Sequence, residues 1–231
     1  MREIVLDTET TGLDPNDGHR IVEIGGIELW NRLPTGKVYH QYINPERNMP
    51  PEALAVHGLS DEFLQDQPVF SQIAQDFMTF IGKSQLVIHN ASFDIKFLNW
   101  ELQLCNKGRI PKHQATDTLS MARKKFPGSP VSLDALCRRF NIDNSFRKLH
   151  GALLDSEILA EVYLELTGGR QPNLELAVTK EIQTKMSNRS VETVRIRPNP
   201  LPTLLTEEEK KAHETFISQL GEQALWMKIK L

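Results

Sequence analysis

Apolar and polar positions first follow the short period of extended chain. Residues 3 to 9 (EIVLDTE), 21 to 30 (IVEIGGIELW) and 38 to 43 (VYHQYI) predict three strands. The turn-rich runs Thr11-Gly12-Leu13-Asp14-Pro15 and Leu33-Pro34-Thr35-Gly36 separate them. Three strands with short links imply an antiparallel meander. Gly25-Gly26 interrupts the second run and marks either a bulge or the close approach of another backbone. Beyond this the period lengthens. Helices are expected over about 70–81, 91–106, 117–125, 132–140 and 152–167, with a short strand at Leu86-Val87-Ile88 between the first two. Gly168-Gly169 stops the last of these helices.

The pattern then changes character. Residues 170 to 205 hold four prolines and no sustained apolar period, as a flexible linker does. Thr206-Glu207-Glu208-Glu209 resembles a capping box, followed by a helix with Ala212, Phe216, Ile217 and Leu220 on one face. This last piece, ending in Ala224-Leu225-Trp226-Met227, is too short to bury its own apolar face and is expected to dock on something else. The chain therefore divides into a domain at 1–169, a linker at 170–205 and a docking segment at 206–231. A length of 231 residues agrees with one core and an appendage.

Composition narrows the class. Only Cys105 and Cys137 are present, which excludes a disulfide framework and a cysteine zinc site. No apolar run approaches the 18 or so residues of a membrane span, and the N-terminus is acidic and strand-like, so a cytoplasmic protein with no membrane association is expected. With 27 basic against 30 acidic residues the net charge is -3. Any grip on nucleic acid by this chain alone should be weak.

The chemistry starts in the first strand. Asp7 and Glu9 stand two residues apart, so both carboxylates project from one face just after the apolar run Ile4-Val5-Leu6. Alone, the pair reads equally well as a strand end emerging into solvent. Asp155, however, shares the inward stripe of its helix with Ile158, Leu159, Val162 and Leu166. Asp94 repeats the arrangement with Phe97, Leu98 and Cys105. A single buried aspartate can be satisfied by backbone amides at a helix start, but two of them plus the Asp7/Glu9 pair would require three separate coincidences.

Carboxylates that converge must hold protons or cations, because two like charges about 4 Å apart repel by about 4 kcal/mol at an effective dielectric near 20. All-oxygen ligands select hard ions such as Mg²⁺ or Mn²⁺. A pair of such ions clamps the attacking and leaving oxygens of phosphodiester hydrolysis. Removing Asp7 or Asp155 is accordingly expected to abolish hydrolysis and to relieve repulsion in the metal-free protein. His150 stands five residues before Asp155, too far round one continuous helix to share its site. Gly151 places the histidine in the loop before that helix, free to lean towards Asp155. A histidine's ordinary pKa of about 6.5 suits a general base for the attacking water.

Three segments carry a family resemblance. Asp7-Thr8-Glu9-Thr10-Thr11-Gly12, His89-Asn90-Ala91-Ser92-Phe93-Asp94 and His150-Gly151-Ala152-Leu153-Leu154-Asp155 resemble, in order, the three motifs of the DEDDh 3'-5' exonucleases. The resemblance covers residues 1–169. It implies an α/β fold with an RNase H-like mixed sheet flanked by helices, two Mg²⁺ or Mn²⁺ ions, and removal of nucleotides from 3' ends. By that resemblance Asp7, Glu9, Asp94 and Asp155 would hold the ions and His150 would be the general base.

Substrate contacts follow from the same resemblance. Thr10, Thr11, Gly12 and Leu13 would meet the terminal nucleotide, Val56 and His57 would form a second wall, and Asn90 and Phe93 would flank Asp94. Leu13 serves equally as cover for the sheet end and His57 as a turn cap, while Asp117 is read as the cap of the next helix and not as a catalytic group. The tail resembles that of proofreading subunits of bacterial replicative DNA polymerases. Gln171, Leu174 and Leu176 match a sliding-clamp-binding peptide, and 206–231 resembles the segment that binds the polymerase alpha subunit. The substrate implied is a single-stranded or frayed 3' DNA end with a mispaired terminus. A stand-alone RNA exonuclease would share every catalytic residue but has no need of the tail, and a non-catalytic binding module has no need of five intact site residues.

Overall fold

A computed structural model describes residues 1–145, 147, 149–169 and 205–220. The chain divides into two units, Met1–Leu174 and Glu175–Leu231.

The first unit is built on a five-stranded mixed sheet. Strands β1 (Arg2–Thr10), β2 (Ile21–Trp30) and β3 (Leu33–Tyr42) form the predicted antiparallel meander, with Asp7 opposite Gly25 and Glu9 opposite Glu23. On the other side of β1 run β4 (Gln85–Ile88) and β5 (Ala115–Asp117), both parallel, giving the order β3-β2-β1-β4-β5. Helices α1 (Pro51–His57), α2 (Asp61–Leu64) and α3 (Phe70–Ile81) precede β4, and α4 (Ala91–Leu104) links it to β5. Helices α5 (Thr118–Lys125), α6 (Leu133–Phe140) and α7 (Ala152–Leu166) complete the unit.

Central β1 is apolar at consecutive positions because both of its faces are covered. Ile4 and Leu6 pack in one core with Phe77 and Ile81 of α3 and Phe97 of α4. Val5 faces the other way, against Val87, Leu159 and Tyr163. The same alternation sends Asp7 and Glu9 towards α7 and Thr8 towards α4.

Two expectations need correction. The β2-β3 turn is not the run Leu33 to Gly36 but Asn31-Arg32, with φ of 51° and 69°, the left-handed pair that a two-residue hairpin requires. The Pro34-Thr35-Gly36 run lies inside β3, where the register jumps from Ile27↔Val38 to Leu29↔Pro34. Arginine carries no signal for a left-handed turn, whereas Pro-Thr-Gly carries a strong one that a bulge satisfies equally. In addition, α1, α2 and β5 went unpredicted. Helix α1 leaves Leu54 and Val56 exposed, so no inward stripe announces it.

Of the alternatives for Gly25-Gly26, the close approach holds at Gly25. A Cβ there would lie 2.2 Å from the carbonyl carbon of Ala152 and the amide nitrogen of Leu153. Only glycine lets the first turn of α7 lie directly on β2.

The second unit is described at residues 205–220. The predicted capping box forms: Thr206 N–H donates to Glu209 Oε2 at 2.9 Å and Glu209 N–H to Thr206 Oγ1 at 3.2 Å. It opens helix α8 (Glu207–Gln219), and Phe216 and Leu220 are exposed. The predicted linker, except Leu205, and the terminal residues 221–231 lie outside the described residues, Gln171, Leu174 and Leu176 among them. No helix among the described residues is long and apolar enough to cross a membrane.

Candidate active site

The site lies at the C-terminal end of β1, where parallel strands characteristically leave a crevice. Asp7 and Glu9 leave the strand on the α7 side. Asp94 is the fourth residue of α4 and Asp155 the fourth of α7, both in a first turn whose backbone dipole favours negative charge. Asp94 and Asp155 are buried, as is Glu9. All four carboxylates, together with His150, line one cavity of about 510 Å³. A ligand atom from each of Glu9, His150 and Asp155 falls within 4.8 Å of the other two. The five residues predicted from the sequence are therefore brought together.

Several contacts hold these groups in place. Thr8 Oγ1 donates to Asp94 Oδ1 at 2.7 Å. The start of α7 is fixed by buried Glu23, whose Oε2 accepts from Ala152 N–H at 3.1 Å while Oε1 meets His40 Nε2 at 2.7 Å. Ser156 Oγ donates to the Gly25 carbonyl at 3.1 Å. His150 lies in the loop before α7, as expected, and its N–H donates to the Val56 carbonyl at 3.1 Å. That bond joins the histidine to the end of α1.

Electrostatically the site is uneven. Burial first, and then the neighbouring acids Asp94, Glu9 and Asp155, push the Asp7 carboxyl well above the usual range. Burial and Asp155 push Glu9 up to about 8. Burial pushes Asp94 up to about 7, against the opposing hydrogen bond from Thr8. None of these three acids forms an ion pair among the described residues, which fits a site for hard divalent cations. Asp155 behaves differently. Although burial raises it, the neighbouring His150 ring and the Arg147 guanidinium hold it below the usual carboxylate range.

Arg147 was missed in the sequence. It sits in Phe146-Arg147-Lys148, a basic run that reads as a solvated loop. In three dimensions its side chain is only 9% exposed and bonds to both oxygens of Asp155 and to Asp134. Glu23 was also missed, because its two partners lie on β3 and at the start of α7.

A second cavity, of about 570 Å³, adjoins the first and shares Thr8, Glu9 and Phe93 with it. Thr10, Thr11, Gly12, Leu13, Val56 and His57 all line it. Leu13 is 83% exposed, so it stands beside the cavity and does not cover the sheet end. Gly12 has no room for a side chain because His19 packs over it, and the His19 ring contacts Thr11 Oγ1 at 3.1 Å. His57 is buried. Its Nδ1 accepts from Leu59 N–H at 3.1 Å, and its Nε2 has no hydrogen-bond partner among the described residues. Asn90 lines neither cavity; it turns the chain into α4 with φ of 67°. Asp117 caps α5 as expected, through Leu119 N–H, and also accepts from Asn90 N–H at 3.0 Å.

Comparison with known proteins gives a consistent result. The exonuclease family pattern (RNase_T) matches residues 4–163. The chain is 53% identical to the DNA polymerase III subunit epsilon of Rickettsia felis, over 95% of this chain and 97% of that one. It is 46% identical to the epsilon subunit of Escherichia coli K12, over 97% of each. Among solved structures it resembles exonuclease X in complex with 5' overhanging duplex DNA, with a TM-score of 0.57 and 25% identity over 71% of this chain and 90% of that one. It also shares its fold with the nuclease domain of 3'hExo, a DEDDh family member bound to rAMP, with a TM-score of 0.60 and 20% identity over 71% and 90%.

Proposed function

We propose that this chain, which belongs to the exonuclease (RNase_T) family and within it to the DNA polymerase III epsilon subunits, removes mispaired nucleotides from 3' DNA ends as the proofreading subunit of a bacterial replicative polymerase. The observation that carries the reading is the convergence of Asp7, Glu9, Asp94, His150 and Asp155 in one cavity beside an adjoining groove. The donor set, with three carboxylates pushed towards protonation, suits two Mg²⁺ or Mn²⁺ ions held by Asp7, Glu9, Asp94 and Asp155. When bound, such ions neutralise charge on the attacking and leaving oxygens of phosphodiester hydrolysis. His150 takes a proton from the attacking water, with Asp155 beside its ring at 3.3 Å.

The adjoining groove receives the terminal nucleotide. Thr10, Thr11 and Gly12 line it, and exposed Leu13 stands as an apolar wedge between the last base and its neighbour. Val56 and Phe93 supply apolar walls. The unpartnered Nε2 of His57 offers a hydrogen-bond donor to a substrate oxygen. Asn90 shapes the α4 start and takes no direct part in this reading.

The net charge of -3 favours weak binding by the isolated chain, so a partner must present the DNA. We assign that role to the polymerase alpha subunit, engaged by residues 206–231, with a sliding clamp engaged by Gln171, Leu174 and Leu176. Identity with the epsilon subunits over nearly the full chain supports these assignments, as it supports the cytoplasm as the compartment.

Duplexes with matched and mispaired 3' ends, compared at one salt concentration, test the reading. Opening a matched terminal step costs about 1.4 kcal/mol of stacking, so matched ends should be cut about tenfold more slowly. Equal rates would argue against proofreading. Faster cleavage of single-stranded RNA than of DNA would favour the stand-alone RNA enzyme.

A further inference from the structure

A cation already stands on one side of the site. Arg147 Nε donates to Asp155 Oδ1 at 2.5 Å and Nη2 to Oδ2 at 2.6 Å, a fork that takes both carboxylate oxygens. Nη2 also lies 2.7 Å from His150 Nδ1. A guanidinium only donates, so that ring nitrogen is the unprotonated one, and the longer 3.3 Å approach of Nδ1 to Asp155 leaves its lone pair to Arg147. The remaining nitrogen, Nη1, donates at 3.0 Å to Asp134 Oδ1, which also accepts from Asn144 Nδ2 at 2.9 Å. One side chain thus engages both oxygens of a predicted ion ligand and the lone pair of the predicted base, from a seat anchored on α6.

We propose that Arg147 is the resident counterion of the metal-free site and competes with divalent ions for Asp155, so that ion binding and release of Asp155 and His150 from the guanidinium are a single exchange. The proposal rests on the reading of Asp155 as an ion ligand. A divalent ion held by Asp155 would need an oxygen that the fork occupies, and two cations on one carboxylate repel. Asp134 keeps its hold on the guanidinium after Asp155 leaves, so the arginine stays at the edge of the cavity and the exchange is reversible. Among the described residues Arg147 is also the one guanidinium in contact with the cluster, and its charge opposes the rise of Asp7 and Glu9.

The exchange is tested by Mn²⁺ titration calorimetry and by thermal melts in chelator on the full chain, comparing wild type with Arg147→Gln and Arg147→Lys. Competing ligands are linked. Arg147→Gln should therefore bind Mn²⁺ roughly tenfold more tightly than wild type and melt at a lower temperature in chelator, with a larger gain on adding Mn²⁺. Arg147→Lys keeps the charge without the fork and should fall between the two. Unchanged or weaker Mn²⁺ binding by both variants would overturn the proposal. If Arg147→Gln does not fold in chelator, the lysine variant decides by the same criterion. Absence of Mn²⁺ binding by wild type would overturn the ion assignment itself and the exchange with it, a result distinct from failure of the variants alone.

Discussion

Helices α4 and α7 begin alike and end up electrostatically opposite. Each carries a buried aspartate at its fourth residue, Asp94 at 3% and Asp155 at 4% exposure, each within reach of its helix dipole. Yet Asp94 is pushed up to about 7 while Asp155 is held below the ordinary range. Burial and the dipole are common to both, so neither accounts for the difference. The partner does. Asp94 has the neutral hydroxyl of Thr8, whereas Asp155 has the His150 ring and the forked guanidinium of Arg147. A neutral hydrogen bond contributes about 1 kcal/mol net and a charge-assisted one roughly twice that; only the latter offsets burial here. The site therefore has one wall of Asp7, Glu9 and Asp94, which no cation among the described residues pairs directly, and one wall, at Asp155, where Arg147 forms a direct ion pair.

The largest test of this contrast removes one acid from each wall. Asp7→Ala and Asp155→Ala should each lower the hydrolysis rate about a thousandfold or more, since each removes several kcal/mol of charge stabilisation. Their effects on metal-free stability should differ in sign. Asp7→Ala relieves repulsion and should raise the melting temperature in chelator. The sequence alone suggested the same for Asp155→Ala, but the Arg147 fork reverses that expectation: the variant leaves a largely buried guanidinium with Asp134 alone and should lower the melting temperature in chelator. Shifts of the same sign would erase the distinction between the walls.

His150→Ala comes next in size. Loss of the general base should cost about a hundredfold in rate. Mn²⁺ affinity should stay close to that of wild type, because the ring is assigned to the proton and not to the ion. A large loss of affinity in calorimetry would instead make His150 a ligand, joining Glu9 and Asp155, which lie near it.

The smallest effect is a pH dependence. Folded values of about 8 for Glu9 and about 7 for Asp94 lie above the roughly 4.3 and 3.9 of unfolded chains. The folded state thus binds more protons between about pH 4 and 8, and metal-free stability should fall as pH rises through that window. Asp155, with its depressed value, works in the opposite sense only at lower pH. Melting in chelator should therefore occur a few degrees higher at pH 6 than at pH 8.5. Mn²⁺ should shrink the difference by neutralising the same carboxylates. An unchanged difference would place the titration elsewhere.

What could be read from one dimension was whatever a single element encodes. The two-residue spacing of Asp7 and Glu9 after Ile4-Val5-Leu6 sets their common face, because side chains on extended chain alternate. The stripe from Asp155 through Ile158, Leu159, Val162 and Leu166 sets the inward face of α7, and the structure buries every one of these residues. Thr206 and Glu209 name their own capping box. Asp7, Glu9, Asp94 and Asp155 were legible as inward-facing acids for this reason, each on an element whose period declares its orientation; His150, in the loop before α7, was singled out by its nearness to Asp155 and by the likeness of its short motif to a known family.

Tertiary structure decided whatever depends on a partner distant in sequence. Gly25 is required by the backbone of Ala152, and Glu23 holds that same residue's amide across 129 positions of chain. The Asn31-Arg32 turn follows from the register of β2 on β3, which no propensity of arginine announces. Above all, the sign of each carboxylate's shift belongs to the fold. Periodicity shows that an acid points inward, but burial, neighbouring charge and the fork of Arg147 are pairwise distances, and these exist only once α6, α7 and β1 have come together.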